Sequence, residues 1–268
     1  MTLRALDLFC GAGGATRGYQ LAGFHATGVD AAPQPRYIGD GFVQRDAIDW
    51  LRWAAGETPP PTWFEQLMGR EQRSLLHPEW FDLVHASPPC QDHSVLAPVA
   101  SRARGGAHGT GWMLGVCQEL LPRVAARWGC LYVIENVPGA KMPNHLTLCG
   151  TAMGLVADVP GRGRVRIKRH RWFQVNFGVL VEKCECYGKY KGMPYLGIYG
   201  HGSSNKADAR KRGYKSRAFT GLGAAEASRQ AMGIDWMTRD ELDQAIPPAY
   251  TKLLGEYAAA HLEAMGAA

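Results

Sequence analysis

The chain has 268 residues, 46% of them hydrophobic and 20% charged, a balance that allows a sizeable buried core and excludes an intrinsically disordered chain. Its seven cysteines (Cys10, Cys90, Cys117, Cys130, Cys149, Cys184 and Cys186) are odd in number and widely spread, which excludes a small disulfide scaffold and favours reduced thiols, one of them available as a nucleophile. Nothing approaches the ~18 consecutive apolar residues of a membrane span, and the start of the chain has no leader-like pattern, so a cytoplasmic location with no membrane association is expected.

The formal net charge is +6, but it is unevenly distributed. Between Arg162 and Arg217 there are 15 Lys and Arg against three acids (Glu182, Glu185 and Asp208), a local +12 that leaves −6 elsewhere. That pattern suits a polyanion-binding segment on a mildly acidic body, and equally a solvated basic face.

In chain order, the apolar Ala5–Phe9 run is followed by Cys10-Gly-Ala-Gly-Gly and then by a stretch with spaced apolar residues ending at Gly23, which reads as strand, glycine turn and helix. His25–Asp30 is a short strand ending in an acid, and the segment from Phe42 to Trp53 carries Asp46 at its turn. Phe81–Ser87 and Cys130–Val137 are further apolar runs, with a helix predicted over Trp112–Trp128 between them. This alternation predicts βαβ units, hence an α/β protein with a Rossmann-like, mostly parallel sheet and helices on both faces. Ligands bind at the carboxyl ends of strands in such sheets, and the polar clusters fall there. The body is read as residues 1–160, followed by a small irregular basic domain over 161–220 and by C-terminal helices over 221–268 that are broken at Pro247-Pro248.

Four constellations carry candidate chemistry. The first is the turn Asp7-Leu8-Phe9-Cys10-Gly11-Ala12-Gly13-Gly14, where glycines admit a ligand to the backbone and a helix N-terminus attracts an anion. It is not the dinucleotide fingerprint, because position 16 is Thr. Asp30 stands where a carboxylate accepts from ribose hydroxyls and Asp46 where one meets an exocyclic amine, although either is also a common helix cap. The second is Ser87-Pro88-Pro89-Cys90-Gln91 with the Gly- and Ala-rich loop holding Ser94, Arg102 and Arg104; the prolines fix the approach to Cys90, which needs positive charge nearby to form thiolate. The third, Glu135-Asn136-Val137-Pro138, places a carboxyl at a strand end, where desolvation raises its pKa and suits it to act as a general acid. The fourth is Arg169-His170-Arg171, whose two arginines project to one side of an extended chain. Cys184-x-Cys186 with His201 has neither the C-x₂₋₄-C spacing nor a matched second pair, so no metal is expected.

Taken together, DLFCGAGG, SPPCQ, ENV, R-x-R and the final AIPPAY make a sequence that resembles the cytosine-5 DNA methyltransferase family over nearly its whole length. The resemblance implies a class I methyltransferase fold with S-adenosyl-L-methionine as cofactor and S-adenosyl-L-homocysteine as product. It puts Asp7, Phe9, Gly11, Gly13, Gly14, Asp30, Asp46, Pro88 and Gln244 around the cofactor, and Cys90 at carbon 6 of an extruded cytosine as the covalent nucleophile. Glu135 would protonate N3, while Arg171, with Arg169 beside it, would contact the base oxygen and the loop. The basic segment would be a target-recognition domain with its core over about 175–216. Contacts to double-stranded DNA are then expected from Gln91, Ser94, Arg102, Arg104, Lys189, Lys191, Arg210, Lys211 and Arg212. A monomer in a bacterium or encoded by a virus in a bacterial host is implied, with or without a cognate restriction nuclease.

The sequence departs from the family at Ser87, at Ile167 where Gln is usual, at Thr110-Gly111 and at Gln244, where Asn is usual near the methionine end of the cofactor. Gln244 leaves open a modified S-adenosylmethionine analogue as donor. Transfer to tRNA cytosine and a catalytically silent DNA-binding relative are the other readings that the residues allow.

Overall fold

The computed structural model describes residues 2–62, 76–90, 110–159, 163–186, 188–189, 193–196, 218–219 and 224–266. In chain order these form β1 (Arg4–Leu8), α1 (Gly14–Leu21), β2 (His25–Asp30), β3 (Gly41–Gln44), α2 (Ala47–Ala54), β4 (Leu83–Ala86), α3 (Trp112–Trp128), β5 (Leu131–Asn136), β6 (Leu146–Cys149), β7 (Val156–Val159), β8 (Gly163–Ile167), β9 (His170–Val175), β10 (Tyr195–Leu196), β11 (Ala218–Phe219), α4 (Ala224–Met232), α5 (Arg239–Gln244) and α6 (Pro248–Gly266).

The central sheet has seven strands in the order β3-β2-β1-β4-β5-β9-β6. Its first five neighbours are all parallel, β9 runs antiparallel between β5 and β6, and the expected Rossmann-like α/β architecture is present. Strand residues alternate between two cores, one on each face. Ala5, Leu83 and Val133 pack with Tyr19 of α1 and with Tyr250 and Leu254 of α6. Leu6, Val84 and Ile134 pack with Trp50 and Leu51 of α2 and with Leu120 and Leu121 of α3. This period of two with both faces covered explains why the strands read as near-continuous apolar runs.

The composition boundary at 160 does not coincide with a structural division. β7, before it, and β8, after it, form an antiparallel hairpin in a second sheet of order β11-β10-β8-β7, while β9 returns to the central sheet. Val165, Ile167 and Leu196 of the second sheet lie in the same core as Tyr19 and Tyr250. Charge density marks what faces water and carries no record of which strands pair, so the basic stretch reads as one unit although its strands belong to two sheets.

Two further features position the site. α5 opens with a capping box, Thr238 and Glu241 exchanging side chain-to-backbone bonds, and the chain breaks before Pro248 occupies the first position of α6. α6 and the residues just before it lie against α1 so closely that a Cβ on Gly14 would stand 2.6 Å from the Ile246 carbonyl oxygen and one on Gly18 would collide with Thr251. Among the described residues, no helix is long and apolar enough to cross a membrane.

Candidate active site

The turn after β1 is shaped by backbone that side chains rarely adopt: Phe9 has φ 62°, Gly11 φ 50° and Gly13 φ 87°. A non-glycine residue held in this region marks a functional constraint more often than an accident. A Cβ on Gly11 would meet nothing within 4 Å, so the turn keeps an open side to which a ligand could come against the backbone. α1 begins at Gly14 with no side-chain cap and no acid in its first turn, which leaves its N-terminal dipole available. Asp30, at the end of β2, accepts the Gly11 N–H and the Ala32 N–H, both at 2.9 Å, and so pins this turn to the neighbouring strand. Trp236 pins it from the other side, its indole N–H donating to the Ala12 carbonyl at 2.8 Å.

Asp46 is exposed and accepts the Ile48 N–H at 2.8 Å as the N-cap of α2, the capping role that the sequence left open. Gln244 is the exposed last residue of α5, and the two residues after it, Ala245 and Ile246, pack against Gly14. Asp7 is fully buried; Thr16 donates to it at 2.6 Å, which explains the residue standing where a dinucleotide fingerprint needs glycine. Burial pushes the Asp7 carboxyl up to about 7 despite that bond. Asp7 thus supports the turn from beneath.

The second half of the site lies at the carboxyl ends of β4 and β5. Cys90 follows Pro88 and Pro89 directly after β4 and is partly exposed. Glu135 is the penultimate residue of β5 and is buried, and Arg171 reaches it from β9, with Nε 2.9 Å from Oε1. The contact is an ion pair without hydrogen-bond alignment, so among the described residues this buried carboxylate oxygen has no hydrogen-bond partner. Burial raises the Glu135 carboxyl above the usual range, and Arg171 and then Arg169 only partly offset it. Burial likewise raises the Cys90 thiol, with Arg171 pulling it down and Glu135 pushing it up. The cysteine, the carboxyl and the guanidinium therefore share one electrostatic environment, in which each partner's ionisation alters the next.

Arg169 lies close enough to Arg171 that the two charges act on each other and on Glu135 and Cys90, but its guanidinium is held by backbone carbonyls. It lies in the connection before β9, is 3% exposed, and its Nη2 donates to the carbonyls of Asp243 at 3.0 Å and Ala245 at 2.7 Å. Its own carbonyl accepts the Tyr250 hydroxyl. Burial, followed by the neighbouring Arg171 charge, lowers its guanidinium to about 9. Through these bonds Arg169 ties the segment after α5 to the root of β9.

Asn136, which the Glu-Asn-Val-Pro run contains without an assigned role, donates from Nδ2 to the buried Pro88 carbonyl at 3.1 Å and accepts the Val137 N–H at 2.9 Å. Its place in the Glu-Asn-Val run was the available signal. Tyr250 closes the AIPPAY run but nothing there pointed to its partner, and Trp236 had no signal, because their bonds span 81 and 224 residues of sequence. Lys189 is exposed, and its backbone N–H donates to Glu185 at 2.9 Å. Gln91, Ser94, Arg102, Arg104, Lys191, Arg210, Lys211 and Arg212 lie outside the described residues.

No family model and no curated protein matches this chain. Among solved structures it is similar to a putative DNA modification methyltransferase encoded within an E. coli prophage, with a TM-score of 0.51 and 11% identity over 97% of this chain and 99% of that one. Further similar structures are an Entamoeba histolytica methyltransferase, EhMeth, at TM-score 0.49 and 12% identity (98% and 99% covered), and the S. pombe Dnmt2 methyltransferase at 0.45 and 14% (98% and 99%). Together with the sheet order, the first of these defines the fold as that of a class I methyltransferase.

Proposed function

We propose that this protein is a DNA (cytosine-5)-methyltransferase that uses S-adenosyl-L-methionine. The observation that carries the reading is the convergence of Cys90, Glu135 and Arg171 at the carboxyl ends of β4 and β5, with Arg171 Nε 2.9 Å from Glu135 Oε1. The cofactor, when bound, supplies an electrophilic sulfonium methyl group. The open side of Gly11, the uncapped N-terminus of α1 and the Asp30 carboxylate suit its nucleoside and charged ends; Asp46 and Gln244, both exposed, are assigned to it by the family resemblance alone.

The protein's own groups then have distinct tasks. Carbon 5 of cytosine is a weak nucleophile until its ring is made electron-rich, which addition of a thiolate at carbon 6 achieves. Cys90 forms that bond while the raised Glu135 carboxyl donates its proton to N3, so the electron pair from the ring double bond becomes available at carbon 5. Carbon 5 would then accept the methyl group that a bound cofactor supplies; a base removes the carbon 5 proton, the returning electrons expel Cys90 from carbon 6 as thiolate, and the Glu135 carboxylate takes back the N3 proton. Arg171 stabilises the carboxylate left on Glu135 after transfer. The cytosine must leave the duplex stack to reach this site, at a cost of a few kcal/mol, and the cations between Arg162 and Arg217, apart from the buried Arg166 and Arg169 and the Glu135-paired Arg171, supply phosphate-binding charge that offsets it.

Mass spectrometry of nucleosides from host DNA, after expression of the wild type and of Cys90→Ala in parallel, tests the proposal. 5-Methylcytosine is expected with the wild type only. A heavier cytosine adduct would replace the donor by an S-adenosylmethionine analogue, and modification confined to tRNA would replace the substrate.

A further inference from the structure

The start of β9 holds a second constellation, separate from the catalytic groups. β6 and β9 pair antiparallel in a register that sets Cys149 directly opposite His170, so their side chains share one face. Arg171, the next residue, points to the other face, where it meets Glu135. The chain leaving β9 comes back over this spot and adds Cys184 and Cys186. The Sγ atoms of Cys149 and Cys186 lie 3.4 Å apart and those of Cys149 and Cys184 3.6 Å. His170 Nε2 lies 3.3 Å from Cys184 Sγ and 3.9 Å from Cys186 Sγ. All four ligand atoms fall within 4.8 Å of one another.

We propose that Cys149, His170, Cys184 and Cys186 form a structural zinc site that clamps the root of the basic segment to the strand carrying Arg171. With Zn–S about 2.3 Å and Zn–N about 2.0–2.1 Å, a regular tetrahedron requires S···S near ~3.8 Å and S···N near ~3.6 Å; the observed S···N separations of 3.3 and 3.9 Å bracket the second value, and the S···S separations of 3.4 and 3.6 Å fall slightly below the first. Three thiolates and one imidazole are a closed, soft donor set that selects zinc among the common divalent ions and leaves no open position for catalysis. Surrounding groups complete the site. The Thr151 hydroxyl lies 3.1 Å from Cys149 Sγ and 3.3 Å from Cys186 Sγ, within reach to donate to either thiolate, and the Cys186 N–H points to Cys184 Sγ at 3.5 Å. Binding releases the thiol protons to solvent and involves no redox change.

A clamp is needed at this place. Residues 176–186 contain no helix or strand; Phe177 and Val179 anchor the segment's start on the core, but Leu180 is 80% exposed and 181–183 face solvent, so among the described residues nothing apolar holds the stretch leading to Cys184. The sequence alone showed only Cys184-x-Cys186, because the second pair comes from two strands whose adjacency exists only in the folded sheet. The inference rests on these four side chains and is independent of the proposed methyl transfer.

The test uses the full-length protein, dialysed against a weak chelator and measured for metal by plasma mass spectrometry, with cobalt substitution as a spectroscopic check. One zinc per chain is expected in the wild type and in Cys130→Ala, and cobalt should give thiolate charge-transfer bands and the intense visible absorption of a tetrahedral site. Cys184→Ser should weaken zinc binding by more than the roughly 10–100-fold that outer-shell changes cost, while Cys184→His should retain the metal. Wild-type protein that takes up no zinc after reconstitution, a disulfide among these cysteines in the isolated protein, or a Cys184→Ser variant that binds as tightly as the wild type would overturn the assignment.

Discussion

The Asn136 side-chain amide donates to the Pro88 carbonyl oxygen at 3.1 Å, joining the end of the strand that carries Glu135 to the segment that carries Cys90. Because both partners are buried, the bond holds the acid and the nucleophile of the proposed reaction in one rigid frame. Leaving a buried acceptor unpaired costs about 1–3 kcal/mol. Asn136→Ala should accordingly lower kcat by roughly 10–100-fold with cofactor affinity unchanged, as measured by single-turnover transfer and isothermal titration. An equal loss of cofactor affinity would mean that the frame extends to the glycine turn.

Cys90→Ala should yield no 5-methylcytosine while binding cofactor as the wild type does, because the thiol lies beyond the glycine turn and touches neither Asp30 nor Gly11 in the described contacts. Methylation persisting in this variant would remove covalent catalysis from the mechanism.

The pH profile separates acid from nucleophile. Glu135 is raised above the usual carboxylate range and Cys90 above the usual thiol range, so the reactive form, thiolate with protonated carboxyl, is a minor species at neutral pH. Between the two pKa values the thiolate fraction rises with pH as fast as the protonated carboxyl fraction falls, and the rate should be flat. In Glu135→Gln the second fraction no longer titrates. Its rate should be lower by about 10²–10⁴ and should climb about tenfold per pH unit across the same range. A flat profile in that variant would place the proton donor elsewhere.

Gly18 and Gly115 make opposite predictions for stability. A Cβ on Gly18 would collide with Thr251 and the Pro248 carbonyl where α1 crosses α6, whereas one on Gly115 of α3 would meet nothing within 4 Å. Gly18→Ala should destabilise by about 1–3 kcal/mol, seen as a melting temperature lower by roughly 2–4 °C per kcal/mol. Gly115→Ala should raise stability by up to about 1 kcal/mol. Similar melting temperatures for the two variants would refute the close α1–α6 packing.

What the chain's own order of residues determined was the local grammar. His25–Asp30 and Trp112–Trp128 have the bounds in the structure that apolar patterning predicted, and the break at Pro247-Pro248 falls where α5 gives way to α6. That Cys90 and Glu135 stand beside strand ends was legible because both strands were read from the pattern, and strand ends are where such a sheet exposes polar side chains. Tertiary structure alone decided the rest. It set Arg169 against the carbonyls of Asp243 and Ala245, inserted β9 between β5 and β6, and brought Cys149 and His170 to Cys184 and Cys186. The physical reason is common to all three. Propensity and periodicity act over a few neighbouring residues, whereas a buried guanidinium takes whatever acceptors the packed core offers it, and strand pairing is chosen by surfaces that meet only once the chain has folded.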